Sequence, residues 1–155
     1  MEITGDVHLE YPQEDVWHAL MDPEFVAKVI PGCDSLTPKD EPETFASDLK
    51  IKIGPIQGKF KADVVRHGVE PMERFVLDVS AKGPTGFMGG TGRIELEPDS
   101  EGTVLRYACT VNVGGRIARV GQRLVSTATK TVINRSLDGF RDELDAALRA
   151  RVGTE

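Results

Sequence analysis

A long amphipathic segment near the end of the chain constrains the fold more than any other feature. After Val113-Gly114-Gly115, apolar residues recur from Arg116 to Arg151 at steps of mostly three and four. This spacing predicts one face of a continuous α-helix. At ~1.5 Å per residue the helix would be roughly 50 Å long, which exceeds the width of the sheet in a small domain. We therefore expect a helix that crosses the whole molecule.

The residues upstream of this segment alternate between apolar and polar, which is typical of half-buried strands. The first such strand is Glu2–Glu10. Two short helices should follow, one between Tyr11-Pro12 and Asp22-Pro23, the other over 24–29, ending before Pro31 because proline disfavours helical geometry in the residue before it. Further strands are predicted at 34–38, 44–53, 57–69, 73–81, 87–97 and 102–113.

Consecutive strands joined by short turns form an antiparallel meander, which can curl around a helix. The predicted fold is therefore α+β. A curved antiparallel sheet of about seven strands wraps around the long C-terminal helix, with two short helices after the first strand. This is the helix-grip arrangement of START-like proteins. A length of 155 residues suits one domain, which we expect over 1–152, followed by a short tail over 153–155.

Composition excludes several classes of protein. The formal net charge of -6 argues against nucleic-acid binding, which needs a basic footprint. Cys33 and Cys109 form neither a CxxC motif nor a Cys/His cluster, so we expect no disulfide framework and no metal site. No stretch approaches the ~20 apolar residues of a membrane span, and the acidic Glu2 and Asp6 stand where a signal peptide is basic. We expect a cytoplasmic protein.

Positive charge is concentrated at the start of the long segment. Between Arg116 and Arg135 there are five basic residues and no acid. Arg116, Arg119 and Arg123 would occupy the first turns of the helix, where its dipole disfavours cations. One interpretation is a docking patch for an acidic partner or an anionic membrane surface. The alternative is a solvated shoulder beside the apolar face.

The sequence offers no catalytic residue that we can assign. His8, His18 and His67 are scattered, and no Ser or Cys stands in a nucleophile elbow. His18 is the candidate ionisable group nearest the predicted cavity, unless it is simply an exposed helical histidine. The glycines between 83 and 92 lead into a strand rather than a helix, which argues against a dinucleotide-binding loop.

A long helix laid across a curved sheet leaves a space in which an apolar ligand can bind. Small residues on the inward face of the helix favour such a space, and Tyr107 would contribute an inward hydroxyl. In the alternative interpretation the same side chains meet and fill the core. The predicted cavity wall comprises Ile117, Val120, Gly121, Leu124, Val125 and Ala128 of the helix, Phe60, Met88, Leu105 and Tyr107 of the sheet, and Trp17, Phe25 and Val29 at one end.

Several fragments of the chain, in order, carry a narrower resemblance. They are Val16-Trp17, Asp22-Pro23, Ile30-Pro31-Gly32-Cys33, Ile53-Gly54-Pro55-Ile56, Lys59-Phe60 and the run from Val113 to Leu124, VGGRIARVGQRL. Together they resemble the CoxG family of carbon monoxide dehydrogenase subunits over nearly the whole chain.

This resemblance implies a non-enzymatic accessory protein of a molybdenum hydroxylase of the carbon monoxide dehydrogenase type. Such a protein would bind an isoprenoid quinone or another lipid in its cavity, with no covalent cofactor. It would couple the enzyme to the inner face of the cytoplasmic membrane. Two alternatives stay open. The chain could be a START-like cyclase or hydrolase acting on an aromatic or polyketide substrate, or a structural assembly factor with a filled core.

Overall fold

One seven-stranded antiparallel sheet forms the body of the protein in a computed structural model, which describes residues 1–54 and 56–153. The strands are arranged in the order β1-β7-β6-β5-β4-β3-β2, so the first strand pairs with the last and β2 is an edge. They are β1 (Glu2–Leu9), β2 (Cys33–Pro38), β3 (Thr44–Ile53), β4 (Ile56–Glu70), β5 (Arg74–Gly83), β6 (Gly86–Asp99) and β7 (Gly102–Gly114).

Two short helices, α1 (Gln13–Met21) and α2 (Pro23–Val29), follow β1, and the long helix α3 (Gln122–Gly153) ends the described chain. Helix α2 begins with proline at its first turn, and the Asp22 carboxylate accepts a hydrogen bond from the Glu24 amide at 3.0 Å. The helix-grip fold predicted from the sequence is confirmed. Within the described residues, no helix combines the length and the apolar character needed to cross a membrane.

Helix α3 is fixed to the rest of the protein at two separate apolar clusters. Near its start, Val125 and Ala128 pack with Ile56 of β4. Further along, Phe140 and Leu144 are buried in a larger cluster that includes residues of α1, α2 and the sheet. The middle of α3 lies between these two attachments.

The long helix starts later than the sequence predicts. Residues Arg116–Val120 form a 3₁₀ helix, and α3 begins only at Gln122. Gly121, between them, has φ 97°, which a continuous helix does not allow. The apolar periodicity missed this break because Ile117, in the 3₁₀ helix, is buried like a helical inward residue. The prediction of one helix from Arg116 was therefore wrong in its first six residues.

Two predictions fall wholly or partly on residues that the structure does not describe. Residue 153 ends α3, while residues 154 and 155 of the predicted tail lie outside the described residues. Pro55 of the predicted Gly54-Pro55 turn also lies outside them.

Replacing Gly121 by alanine distinguishes the break from a continuous helix. In a helix interior, Gly121→Ala would stabilise the protein by about 1 kcal/mol. At φ 97° and ψ 152° we expect the opposite, a loss of roughly 1–3 kcal/mol, because this backbone region is strained for a residue with a Cβ. Urea unfolding of the variant measures the sign, with Gln122→Ala, one residue along, as the control. A gain in the free energy of unfolding would contradict the observed break.

Candidate ligand cavity

An apolar cavity of about 360 Å³ lies between the helices and strands β2 to β6. Its wall is almost entirely aliphatic and aromatic. The sheet contributes Leu36, Phe45, Leu49, Ala62, Val64, Phe75, Leu77, Val79 and Ile94, and the helical side contributes Leu20, Pro23, Val26, Ile30 and Val132. Val132 is the contribution of α3, and it lies between the two clusters that attach this helix.

Arg66 brings the only full charge among the described residues that line the cavity. Its side chain is 13% exposed, and its guanidinium lies 5.3 Å from the centroid of the Phe45 ring. Nε pairs with the Glu43 carboxylate at 2.5 Å, and Nη1 donates to the Met21 carbonyl at 3.2 Å. The hydrogen bond from Arg66 lowers the pKa of Glu43, so the pair is ionised at neutral pH and carries no net charge.

Two smaller polar groups, Cys33 and Ser47, also reach the cavity wall. The Cys33 thiol lies 3.3 Å from the Ser47 hydroxyl and donates to the Ser35 carbonyl at 3.3 Å. Both groups therefore have partners within the protein. They add polarity to the wall without leaving a buried polar atom unpaired.

The cavity adjoins an open groove between α2 and the edge strand β2. Pro23, Cys33 and Leu36 line both spaces, and the groove continues along Glu24, Lys28 and Asp34. Because β2 is an edge strand of the sheet, this side of the molecule offers a route into the cavity. We refer to this groove as the mouth.

The residues predicted to form the cavity wall lie elsewhere, and none of them lines this cavity. Trp17, Val29 and Leu105 are buried in the larger core cluster, against which Phe25 and Tyr107 pack. A second cluster buries Phe60 and Ile117 with Met88 against it, and a third buries Val125 and Ala128 with Val120 against it. Gly121 is exposed, and Leu124, expected to point inward, is 45% exposed.

The Tyr107 hydroxyl, predicted to face a ligand, is instead close to β1. A Cβ added at Gly5 would lie 2.3 Å from this oxygen, so the ring occupies the space that Gly5 leaves open. Tyr107 also borders a small surface depression with Lys130 and Asn134 of α3. Its position gives it no contact with the apolar cavity.

Sequence reasoning missed Arg66, and of the two interpretations of His18 the exposed helical histidine is the one observed. The side chain of His18 is 69% exposed and lies 3.7 Å from Glu14. A signal for Arg66 was nevertheless present. Phe60, Ala62 and Val64 alternate on the inward face of β4, and Arg66 is the first charged residue in that period-2 row.

The three arginines predicted as a docking patch are all exposed. Arg116 and Arg119 lie in the 3₁₀ helix, and Arg123 lies in the first turn of α3, so the argument from the helix dipole applies to Arg123 alone. Arg116 donates from Nη2 to the Pro84 carbonyl at 3.2 Å.

The fold and the cavity define a helix-grip, START-like protein with an apolar internal space. Within that class the chain belongs to the CoxG family of carbon monoxide dehydrogenase subunits, whose family model matches residues 5–145. No protein of curated function matches the sequence.

Solved structures support the fold over almost the whole chain. A conserved protein from Geobacillus kaustophilus is 31% identical with a TM-score of 0.90, over 95% of this chain and 97% of that one. An uncharacterized protein from Rhizobium leguminosarum is 18% identical with a TM-score of 0.72, over 94% and 95%. The di-domain ARO/CYC BexL from the BE-7585A biosynthetic pathway is 21% identical with a TM-score of 0.66, over 92% of this chain and 49% of that one.

Two substitutions on α3, one turn apart, separate the observed cavity from the one predicted by periodicity. Val132→Phe should enter the cavity and weaken the binding of an apolar fluorescent probe at least tenfold, with little loss of stability. Ala128→Phe should instead overpack the cluster around Ile56 and cost roughly 1–3 kcal/mol in the free energy of unfolding. Probe titration and urea unfolding of both variants measure the two effects. If Ala128→Phe weakened probe binding and Val132→Phe lowered the free energy of unfolding instead, the ligand would bind at Ala128.

Proposed function

We propose that the protein is a non-enzymatic accessory protein of a carbon monoxide dehydrogenase-type molybdenum hydroxylase. In this proposal the cavity holds the ring of an isoprenoid quinone, and the protein couples the enzyme to the cytoplasmic membrane. The observation that carries the proposal is the composition of the wall, which is apolar except for one charge-paired guanidinium and two partnered small groups.

The size of the cavity favours the ring over the whole quinone. Pockets that hold a drug-sized ligand measure roughly 300–1,000 Å³, and a cavity of about 360 Å³ is near the lower end of that range. A ring with a short length of chain would fill it. A long isoprenoid tail would have to leave through the mouth between α2 and β2.

The charge balance of the wall favours a neutral ligand over a fatty acid. Because Glu43 already neutralises Arg66, a carboxylate ligand would have to compete with Glu43 for the guanidinium. A quinone carbonyl needs only one donor. The Nη2 group of Arg66 donates to no acceptor among the described residues, so it remains available for such a carbonyl.

The wall argues against a cyclase or hydrolase acting in the same space. General acid–base chemistry needs a titratable side chain within hydrogen-bond reach of the substrate. Among the described residues, the lining side chains include no histidine and no carboxylate. The likeness to the di-domain ARO/CYC BexL, at 21% identity, supports a shared fold and no more.

Family membership supports the choice of partner, and exposed cations support the docking. The CoxG family takes its name from carbon monoxide dehydrogenase. Arg116, Arg119 and Arg123 stand exposed at the junction between β7 and α3, where they are available to an acidic partner surface or to anionic lipid.

Native mass spectrometry of the protein purified from its own host tests the occupant directly. We expect a bound mass that organic extraction identifies as an isoprenoid quinone, and that is absent from the Val132→Phe variant purified in the same way. An empty cavity in both preparations would favour the assembly factor. A bound polyketide or aromatic acid would favour the enzyme.

Changes to the Arg66–Glu43 pair should alter which head group the cavity prefers. Arg66→Met should weaken menadione by about 1 kcal/mol, the usual worth of one hydrogen bond, and leave a hydrocarbon of similar size unaffected. Glu43→Gln should leave menadione nearly unchanged but tighten decanoate about tenfold, since the guanidinium then lacks its counter-charge. Calorimetric titration of both variants with the three ligands measures these shifts. Equal changes for menadione, the hydrocarbon and decanoate would show that Arg66 contributes only packing and no head-group recognition.

A further inference from the structure

The outer face of the sheet carries a cluster of lysines that the register of the strands brings together. Lys50 of β3 pairs with Lys59 of β4, and Lys61 of β4 pairs with Lys82 of β5. On the other side of Lys82, Phe87 of β6 is its cross-strand partner, so Lys61, Lys82 and Phe87 form one row across three strands. Cross-strand partners project on the same side of a sheet, and all five side chains are exposed. We call these five residues the basic face.

The basic face works against the stability of the sheet. Like charges directly opposite one another on neighbouring strands are destabilising, and here two lysine pairs adjoin. None of the four lysines forms an ion pair among the described residues. Asp48, opposite Lys61, and Asp34 are acids that border the cluster. These lysines cost the sheet stability, but they can attract an anionic partner from outside the protein.

Charge is divided between the two ends of the strands. The turns at the opposite end, at 39–43, 70–73 and 99–101, contain three, two and two acidic residues. The cationic end continues beyond the lysines, because Arg116 donates to the Pro84 carbonyl, and Pro84 lines the same surface depression as Lys59 and Lys82. In a chain with a net charge of -6, this end would be attracted to an anionic surface and the other end repelled.

Phe87 gives the basic face an apolar element. Its side chain is 54% exposed, and its ring lies over Gly114, where an added Cβ would come within 2.1 Å of it. An exposed aromatic ring next to Lys82, at the edge of the lysine cluster, combines the two features that hold a protein at a membrane interface, apolar insertion and attraction to acidic head groups.

The basic face adjoins the mouth of the cavity. Asp34 borders the lysine cluster on one side and the groove between α2 and β2 on the other. A flat surface that covers the lysines would therefore lie next to the route into the cavity.

We propose that the basic face binds an anionic lipid surface and holds the mouth beside it. An apolar ligand could then pass between the bilayer and the cavity without crossing open water. The inference deepens the membrane coupling proposed above and rests on it, but it does not depend on what the cavity holds.

Vesicle co-sedimentation tests the proposal with the whole chain and without quinone. We expect wild-type protein to bind vesicles of 30% phosphatidylglycerol in phosphatidylcholine more tightly than pure phosphatidylcholine, and to release as salt rises. The variant Lys59→Gln/Lys61→Gln/Lys82→Gln should bind the anionic vesicles about a hundredfold more weakly, at roughly fivefold per cation. Phe87→Ser should lose roughly tenfold at both low and high salt, because salt does not screen apolar insertion.

A matched triple variant controls for net charge. Arg93→Gln/Lys130→Gln/Arg135→Gln removes three exposed cations that lie outside both the basic face and the mouth, and it should keep nearly wild-type binding. Equal losses in the two triple variants, or wild-type binding by the first, would overturn the proposal. Capture of the hydroxylase by wild type but not by the first triple variant, without vesicle binding, would make the face a protein-docking surface instead. Quinone binding measured without vesicles stays independent of all these outcomes.

Discussion

The space between α3 and the sheet is the feature on which the rest of the structure depends. The helix is attached near Val125 and Ala128 at one end and near Phe140 and Leu144 at the other. Between them it approaches β1 and β7 on one side, near Lys130 and Asn134, and borders the cavity on the other at Val132. A rod laid on a concave surface makes contact at two places and leaves a gap between them. An empty apolar gap forfeits the dispersion contacts that a filled core would have. An apolar occupant restores those contacts, so the geometry that makes the fold also suits it to binding.

Much of this architecture follows from periodicity alone. Alternation defined seven strands, and the three-and-four spacing defined the long helix, because each period reflects which side chains face the core. The start of α3 did not follow. Ile117 is buried in a 3₁₀ helix just as it would be in an α-helix, so burial continues through the break at Gly121 and the pattern conceals it. Backbone geometry at a single glycine is not encoded in the spacing of its apolar neighbours.

The candidate site was harder to predict than the fold, for a physical reason. Periodicity indicates which residues face inward, but not which of them meet another side chain and which border a void. Ala128 and Val132 are one turn apart on α3, yet the first is packed against its cluster and the second lines the cavity. Arg66 could have been found as a charge in an inward row of β4. The lysines could not, since Lys50, Lys59 and Lys82 become neighbours only through the register of three strands.

The surface charges can orient the mouth of the cavity toward an anionic surface, which the apolar wall of the cavity cannot do. At the cavity itself, Arg66 is neutralised by Glu43, so the wall attracts no ion from water and favours a neutral apolar ligand. On the outer face, Lys59, Lys61 and Lys82 have no such ion-pair partner within the part of the chain that the structure describes. Long-range attraction therefore acts on the surface beside the mouth rather than on the binding space. A neutral ligand with a long apolar tail is poorly soluble in water. A carrier for such a ligand therefore gains more from a cavity mouth held at the bilayer than from a charged group that attracts the ligand inside the cavity.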